Sequence, residues 1–144
     1  MKHFTIISAL LITFATQSMA EENVCVNNLI QHDMCKEATR IRDLISPELP
    51  QKISQNLVMR SISSFKNTLT SNAMLLYDRV FLETAVSQGG RTMDSMQKQM
   101  EMMTQKVACS MPYSKAFIEL GGIRNYIYQF QDGEFFLEIT VKEC

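Results

Sequence analysis

The four cysteines constrain this chain more than any other feature. Cys25, Cys35, Cys109 and Cys144 all follow an N-terminal stretch that reads as an export signal. Met1-Lys2-His3 is a short basic start. Phe4 to Phe14 is apolar except for Thr5, Ser8 and Thr13, and Ser18-Met19-Ala20 supplies the small residues of a cleavage site. That order is the secretory pattern. Residues 1–20 are therefore expected to be a signal peptide, and residues 21–144 one exported domain. The apolar run is shorter than the ~20 residues a membrane span needs, so no stable membrane insertion is expected after cleavage. Glu22-Asn23-Val24, ahead of Cys25, does not have the character of a lipid-attachment sequence.

An even number of cysteines in an oxidising compartment favours two disulfides. Three pairings are open. Proximity in sequence favours Cys25–Cys35. Cys109–Cys144 would tie the end of the chain back to the end of a helix. Zinc sites and redox dithiols use closely spaced pairs such as C-x-x-C, and no such pair occurs here. No cofactor and no metal is expected.

Composition narrows the class further. Hydrophobic residues make up 46% of the 144, charged residues 20%, and the formal net charge is −1. Those values belong to an ordinary globular domain, not to a disordered tail, a repeat array or a basic nucleic-acid binder. With charge so close to balance, no electrostatic argument calls for nucleic acid or an anionic surface as partner.

Periodicity predicts an α+β fold. From Val24 to Ile45, the residues Leu29, Ile30, Met34, Ala38, Ile41 and Ile45 recur at helical spacing, and Ser46-Pro47 ends the run. Asn56–Phe65 and Ala73–Leu82 read as two strands joined by a loop of several polar residues. Thr92 is a candidate N-cap for a helix over Met93–Cys109. Its apolar stripe is Met93, Met96, Met100, Met103 and Val107. A short helix over Ser114–Leu120 stops at Gly121-Gly122. Ile123–Phe130 and Phe135–Val141 are strands around Asp132-Gly133, a strong hairpin signal. The expected order is an N-terminal helix, then β-β-α-α-β-β. It implies a four-stranded antiparallel sheet with the helices packed on one face.

One further pattern runs from Leu49-Pro50 through Tyr77, Cys109, Pro112, Gly121, Tyr126-Ile127-Tyr128 and Asp132-Gly133 to Cys144. In that order these residues resemble a group of small exported proteins of Gram-negative bacteria, over residues 49–144. The resemblance implies the Cys109–Cys144 pairing and residence in the periplasm or outside the cell. It implies no catalytic residues.

Few residues invite a chemical role. His32 is the only histidine after the expected cleavage point, and it lacks neighbours of ligand type other than Asp33. No G-x-S-x-G elbow accompanies the serines, and the paired glycines lack the Lys-Ser/Thr sequel of a phosphate loop. The methionine-rich helix offers soft sulfur of the kind that suits Cu(I), although methionine at this spacing usually fills a core. Met102 lies off that stripe and is expected to be exposed. Tyr126 and Tyr128 share one strand face. Met102, Tyr126 and Tyr128 are the candidate partner-binding residues. The expected function is a non-catalytic, soluble periplasmic interaction module serving a larger envelope system, such as a secretion, pilus or conjugation apparatus, with another envelope protein as partner. The alternative is a carrier of a small molecule or Cu(I) that uses the methionine-rich helix.

Overall fold

The computed structural model describes residues 25–27 and 31–144. The expected signal peptide, and residues 24 and 28–30 of the expected N-terminal helix, lie outside the described residues. Within them, the chain forms two small strands, four α-helices and a five-stranded sheet.

The N-terminal part is a hairpin before it is a helix. Strand β1 (Val26–Asn27) pairs antiparallel with β2 (His32–Asp33). Helix α1 (Met34–Ile45) starts only after Asp33, whose carboxylate accepts from the Cys35 and Lys36 amides at 3.0 Å. The expected helix thus begins ten residues late. A Cys25–Cys35 disulfide closes this hairpin across the start of α1. The apolar positions Met34, Ala38 and Ile41 are buried as their spacing predicts. A 3-10 turn over Ser46–Glu48 then carries Pro47 and ends α1.

The sheet runs in the order β3-β4-β5-β6-β7. Strands β3 (Gln51–Ser54), β4 (Leu57–Phe65) and β5 (Thr68–Leu75) form an antiparallel meander. The β4–β5 turn is only two residues, Lys66-Asn67, with Lys66 at φ 52°. The second strand therefore starts at Thr68, earlier than expected, and stops at Leu75. The next segment is helix α2 (Arg79–Gln88), capped by Asp78, whose carboxylate accepts from the Phe81 amide at 2.8 Å. Alternation over residues 73–82 misleads because a strand ends and a helix begins inside it.

Helices α3 (Met93–Ser110) and α4 (Pro112–Glu119) follow. Thr92 and Ser95 form a reciprocal capping box at the start of α3. The chain then returns as β6 (Ile123–Gln129), parallel to β5. Strand β7 (Phe135–Val141) completes the sheet antiparallel to β6. The sheet is therefore mixed and five-stranded, not antiparallel and four-stranded. Three consecutive helices form a long crossover between β5 and β6, the length a parallel connection requires. Two glycines serve these joints. Gly133 takes φ 87° in the β6–β7 turn. A Cβ on Gly122 would stand 2.5 Å from the Phe117 ring, so only glycine lets α4 lie this close to β6.

The core lies between the helices and one face of the sheet. One cluster joins Leu82, Val86, Ala108 and Ile118 of the helices to Ala73, Leu75, Tyr126, Tyr128, Ile139 and Val141 of the strands, with Phe130 and Phe136. A second joins α1 to Ile62, Leu69 and Phe117. On the opposite face, Asn72 donates to the Ser61 hydroxyl, Thr140 donates to Asn125, and Asn125 donates to Glu138. The expected α+β class and the packing of helices on one face are both present. Strict alternation along β7 would turn Phe135, Leu137, Ile139 and Val141 inward; a β-bulge opposite Tyr128/Gln129 instead sets Phe136 into the core and leaves Phe135 exposed.

Candidate functional site

Both disulfides close as expected, Cys25–Cys35 and Cys109–Cys144. The second fastens the chain end to the last turn of α3, where Gln105 also donates to the Glu143 carbonyl at 2.7 Å. One cluster of metal-ligand type occurs among the described residues, Cys25, Asp33 and Cys35. Its sulfurs are bonded to each other and its carboxylate caps α1. Neither sulfur is a thiolate, the form that binds metal.

The long methionine helix turns differently from the expected stripe. Met93, Met96 and Met100 are half-buried against the main core cluster. The next inward positions are Thr104 and Ala108, not Met103 and Val107. A helix follows 3.6 residues per turn, so steps of four continue the face that 3-4 spacing began. Small Thr104 and Ala108 let the helix approach the sheet, and the Thr104 hydroxyl meets the Tyr128 hydroxyl at 2.9 Å. Met103 and Val107 are displaced to solvent beside Met102, which is 66% exposed. The sulfurs are thus split between the core and the outer surface of α3.

Tyr126 and Tyr128 are both 7% exposed and belong to the core. Their rings are occupied by packing, and their hydroxyls by internal partners. Arg124 is buried beside them at 2% exposure. It donates to the Ser71 hydroxyl at 3.2 Å and to the Tyr126 hydroxyl, and its guanidinium stands 5.0 Å from the Tyr126 ring centroid. Its Nη1 has no hydrogen-bond partner. Burial holds the Tyr128 hydroxyl above its ordinary pKa, an effect that its bond to Thr104 partly offsets. A raised phenol stays neutral across the physiological range, and the Tyr128 hydroxyl is taken up by its bond to Thr104.

His32 is largely exposed and lies 3.7 Å from Glu37. The hydrogen bond from Arg40 holds the Glu37 carboxyl below its ordinary value, and burial works against it. This group is a surface ion-pair network on α1, of the kind worth little individually.

Sequence reasoning missed a second exposed apolar group. Helix α2 presents Val80 and Phe81 to solvent, and Phe135 is exposed at the start of β7. Arg79 holds these elements together. It donates to Glu134 at 2.6 Å and to the Phe135 carbonyl at 3.1 Å, and stacks 4.9 Å over the Phe130 ring. Tyr77 lies 5.6 Å from Phe81. The missing signal was Asp78, an N-cap hidden inside an apparently alternating strand.

Two shallow depressions lie among the described residues. One, of about 310 Å³, is lined by Arg60, Ser61, Asn72, Ala73 and Gln129. The other, of about 340 Å³, lies over Cys25, Asp33, Cys35, Lys36 and Thr39. No helix of the described residues is long and apolar enough to cross a membrane.

No family model and no curated protein sequence matches the chain. Solved structures do. A pilotin of the Vibrio vulnificus type 2 secretion system, EpsS, superposes with a TM-score of 0.59 at 15% identity, over 75% of this chain and 86% of that one. A candidate secreted protein of Pseudomonas aeruginosa gives 0.56 at 15%, over 75% and 88%. The type II secretion pilotin AspS of Vibrio cholerae gives 0.51 at 14%, over 76% and 89%. The chain shares its fold with these three proteins, two of which are pilotins of type II secretion systems.

Proposed function

We propose that this protein is a non-catalytic periplasmic accessory module of an envelope secretion system, acting by binding another envelope protein. The observation that carries the reading is the fold shared with two type II secretion pilotins over 86% and 89% of their lengths. The arrangement of side chains supports it. Tyr126 and Tyr128, two of the candidate partner-binding residues, are core residues, while apolar side chains stand outside on α2 and α3. Met102 remains a partner-contact residue in this reading, together with its neighbour Met103. The copper alternative has less support, because Met93, Met96 and Met100 are engaged with the core and only Met102 and Met103 project freely.

The test is genetic. Deleting the gene in its native host should reduce the export of proteins that leave through an envelope machine, and the wild-type gene should restore it. A Met102→Glu/Met103→Glu double variant should restore less while its melting temperature stays within about 2 °C, since exposed substitutions change stability little. Unchanged export in the deletion strain would contradict the reading.

A further inference from the structure

We infer that the outer edge of β4, over Arg60–Phe65, receives an extended acidic segment of a partner protein as an added strand. This rests on the reading of the protein as a docking module only in taking that strand from another protein.

Among the described residues the edge carries no further strand. Strand β3 covers β4 only at Leu57, Val58 and Met59. Beyond them β4 runs on to Phe65 with β5 on one side and no strand on the other, among the described residues. Phe65 and Thr68 flank the two-residue turn, and antiparallel pairs alternate from there. Phe65, Ser63 and Ser61 thus direct their main-chain groups at β5. Ser64 and Ile62 direct theirs outward. Such a row of free N–H and C=O groups is a template for another strand.

The other edges of the sheet are blunted. Strand β3 has four residues, follows Pro50 and carries an irregularity between Lys52 and Ser54. Strand β7 lies beside α3, with its end fastened by Cys144. The β4 segment beyond Met59 has α1 packed on its core face, with Arg42 donating to the Ser64 hydroxyl at 3.1 Å, but no strand along its outer edge among the described residues. It ends instead in Phe65, 74% exposed, at the tip of the hairpin.

Charge selects the occupant. Residues 49–77 contain no Asp or Glu but carry Lys52, Arg60 and Lys66. Arg60 is exposed, with its guanidinium 3.6 Å from the Met74 sulfur. Two copies of this chain pairing about Ser63 would set Arg60 of each opposite Lys66 of the other. Like charges directly opposed disfavour a pair. The same positions facing Glu or Asp are attractive. The edge therefore discourages its own copy and favours an acidic strand.

The experiment uses the purified exported protein with both disulfides formed. The probes are three fluorescent peptides: an acetylated, amidated Thr-Glu-Val-Thr-Val-Glu-Thr, the same peptide with Lys for Glu, and the acidic peptide N-methylated at alternate residues. The acidic peptide should bind roughly fivefold or more tightly than the lysine peptide, and N-methylation should abolish binding. Amide exchange should slow at Ile62 and Ser64. Ser64→Pro removes an outward N–H that β5 does not use and should abolish binding with the fold retained, whereas Ser64→Ala, which loses only the hydroxyl that accepts from Arg42, should keep it. If that variant does not fold, Arg60→Glu should reverse the preference between the charged peptides. Equal binding of both peptides, binding that survives Ser64→Pro, or no binding at millimolar peptide would overturn the inference. A dimer that Ser64→Pro dissolves would assign the edge to a second copy and overturn it too. None of these results bears on partner recovery or export in cells, which test the accessory reading separately.

Discussion

Single residues decide whether this surface or this core is chemical. Tyr128 illustrates the point, because its hydroxyl is buried and satisfied only by Thr104. Tyr128→Phe leaves that threonine oxygen unpaired and should cost about 1 kcal/mol, read from denaturant midpoints at constant slope. The pH dependence has a defined sign. Burial raises the folded phenol above its ordinary 10.0. Its contribution is therefore complete below pH 10 and is lost as pH rises, because the unfolded chain releases the proton first. The Phe variant should lose less stability than the wild type between neutral pH and pH 10.5, followed by circular dichroism. An equal or steeper loss would show that Tyr128 does not carry this titration. Identity at these positions was legible in the sequence, but exposure was not. An aromatic-x-aromatic strand looks the same whether it faces water or helices, and only the crossover helices decide that.

At the scale of elements, the account predicts two contrasts. The first concerns α3. If its inward face passes through Thr104 and Ala108, then Ala108→Leu overfills the core and should cost about 1–3 kcal/mol. Met103→Glu should change stability by less than about 0.5 kcal/mol. Thermal unfolding of the two variants separates the observed face from the Met103–Val107 face that the spacing first indicates. The second contrast concerns the staples. Chain-entropy arguments give about 4 kcal/mol for Cys109–Cys144, which spans 35 residues, and about 3 kcal/mol for Cys25–Cys35, which spans 10. Replacing the first pair with serine should therefore lower the denaturation midpoint more than replacing the second.

Several elements were readable from local chemistry. Strand β7 matches its expected bounds, and Thr92 with Ser95 announces α3 in advance. Others were hidden where local signals overlap. Residues 73–82 alternate well enough to pass for one strand, yet Asp78 caps a helix within them. Lys66 adopts a left-handed conformation that its residue type does not advertise, so a two-residue turn looked like a longer loop.

At the scale of the molecule, the parallel pairing of β5 with β6 could not be read locally, because it depends on where three helices deliver the chain. The disulfides were legible from the number and spacing of the cysteines, and the helices on one face from periodicity. The mixed order of the sheet came from tertiary packing. The result is a stapled α+β body with apolar side chains exposed on α2 and α3 and, among the described residues, no strand outside β4 beyond Met59. That surface suits a protein that works by contact. A Cu(I) titration under protection from oxidation should show no tight binding, because three of the five methionines of α3 are packed against the core. Stoichiometric uptake that Met102→Leu/Met103→Leu removes would favour the carrier reading.

The most direct measurement is in-cell cross-linking of the tagged protein in its native host, followed by purification under oxidising conditions and mass spectrometry. The account predicts recovery of one envelope secretion machine at high yield, reduced by the Met102→Glu/Met103→Glu pair. Recovery of the protein alone, with both disulfides intact, would contradict it.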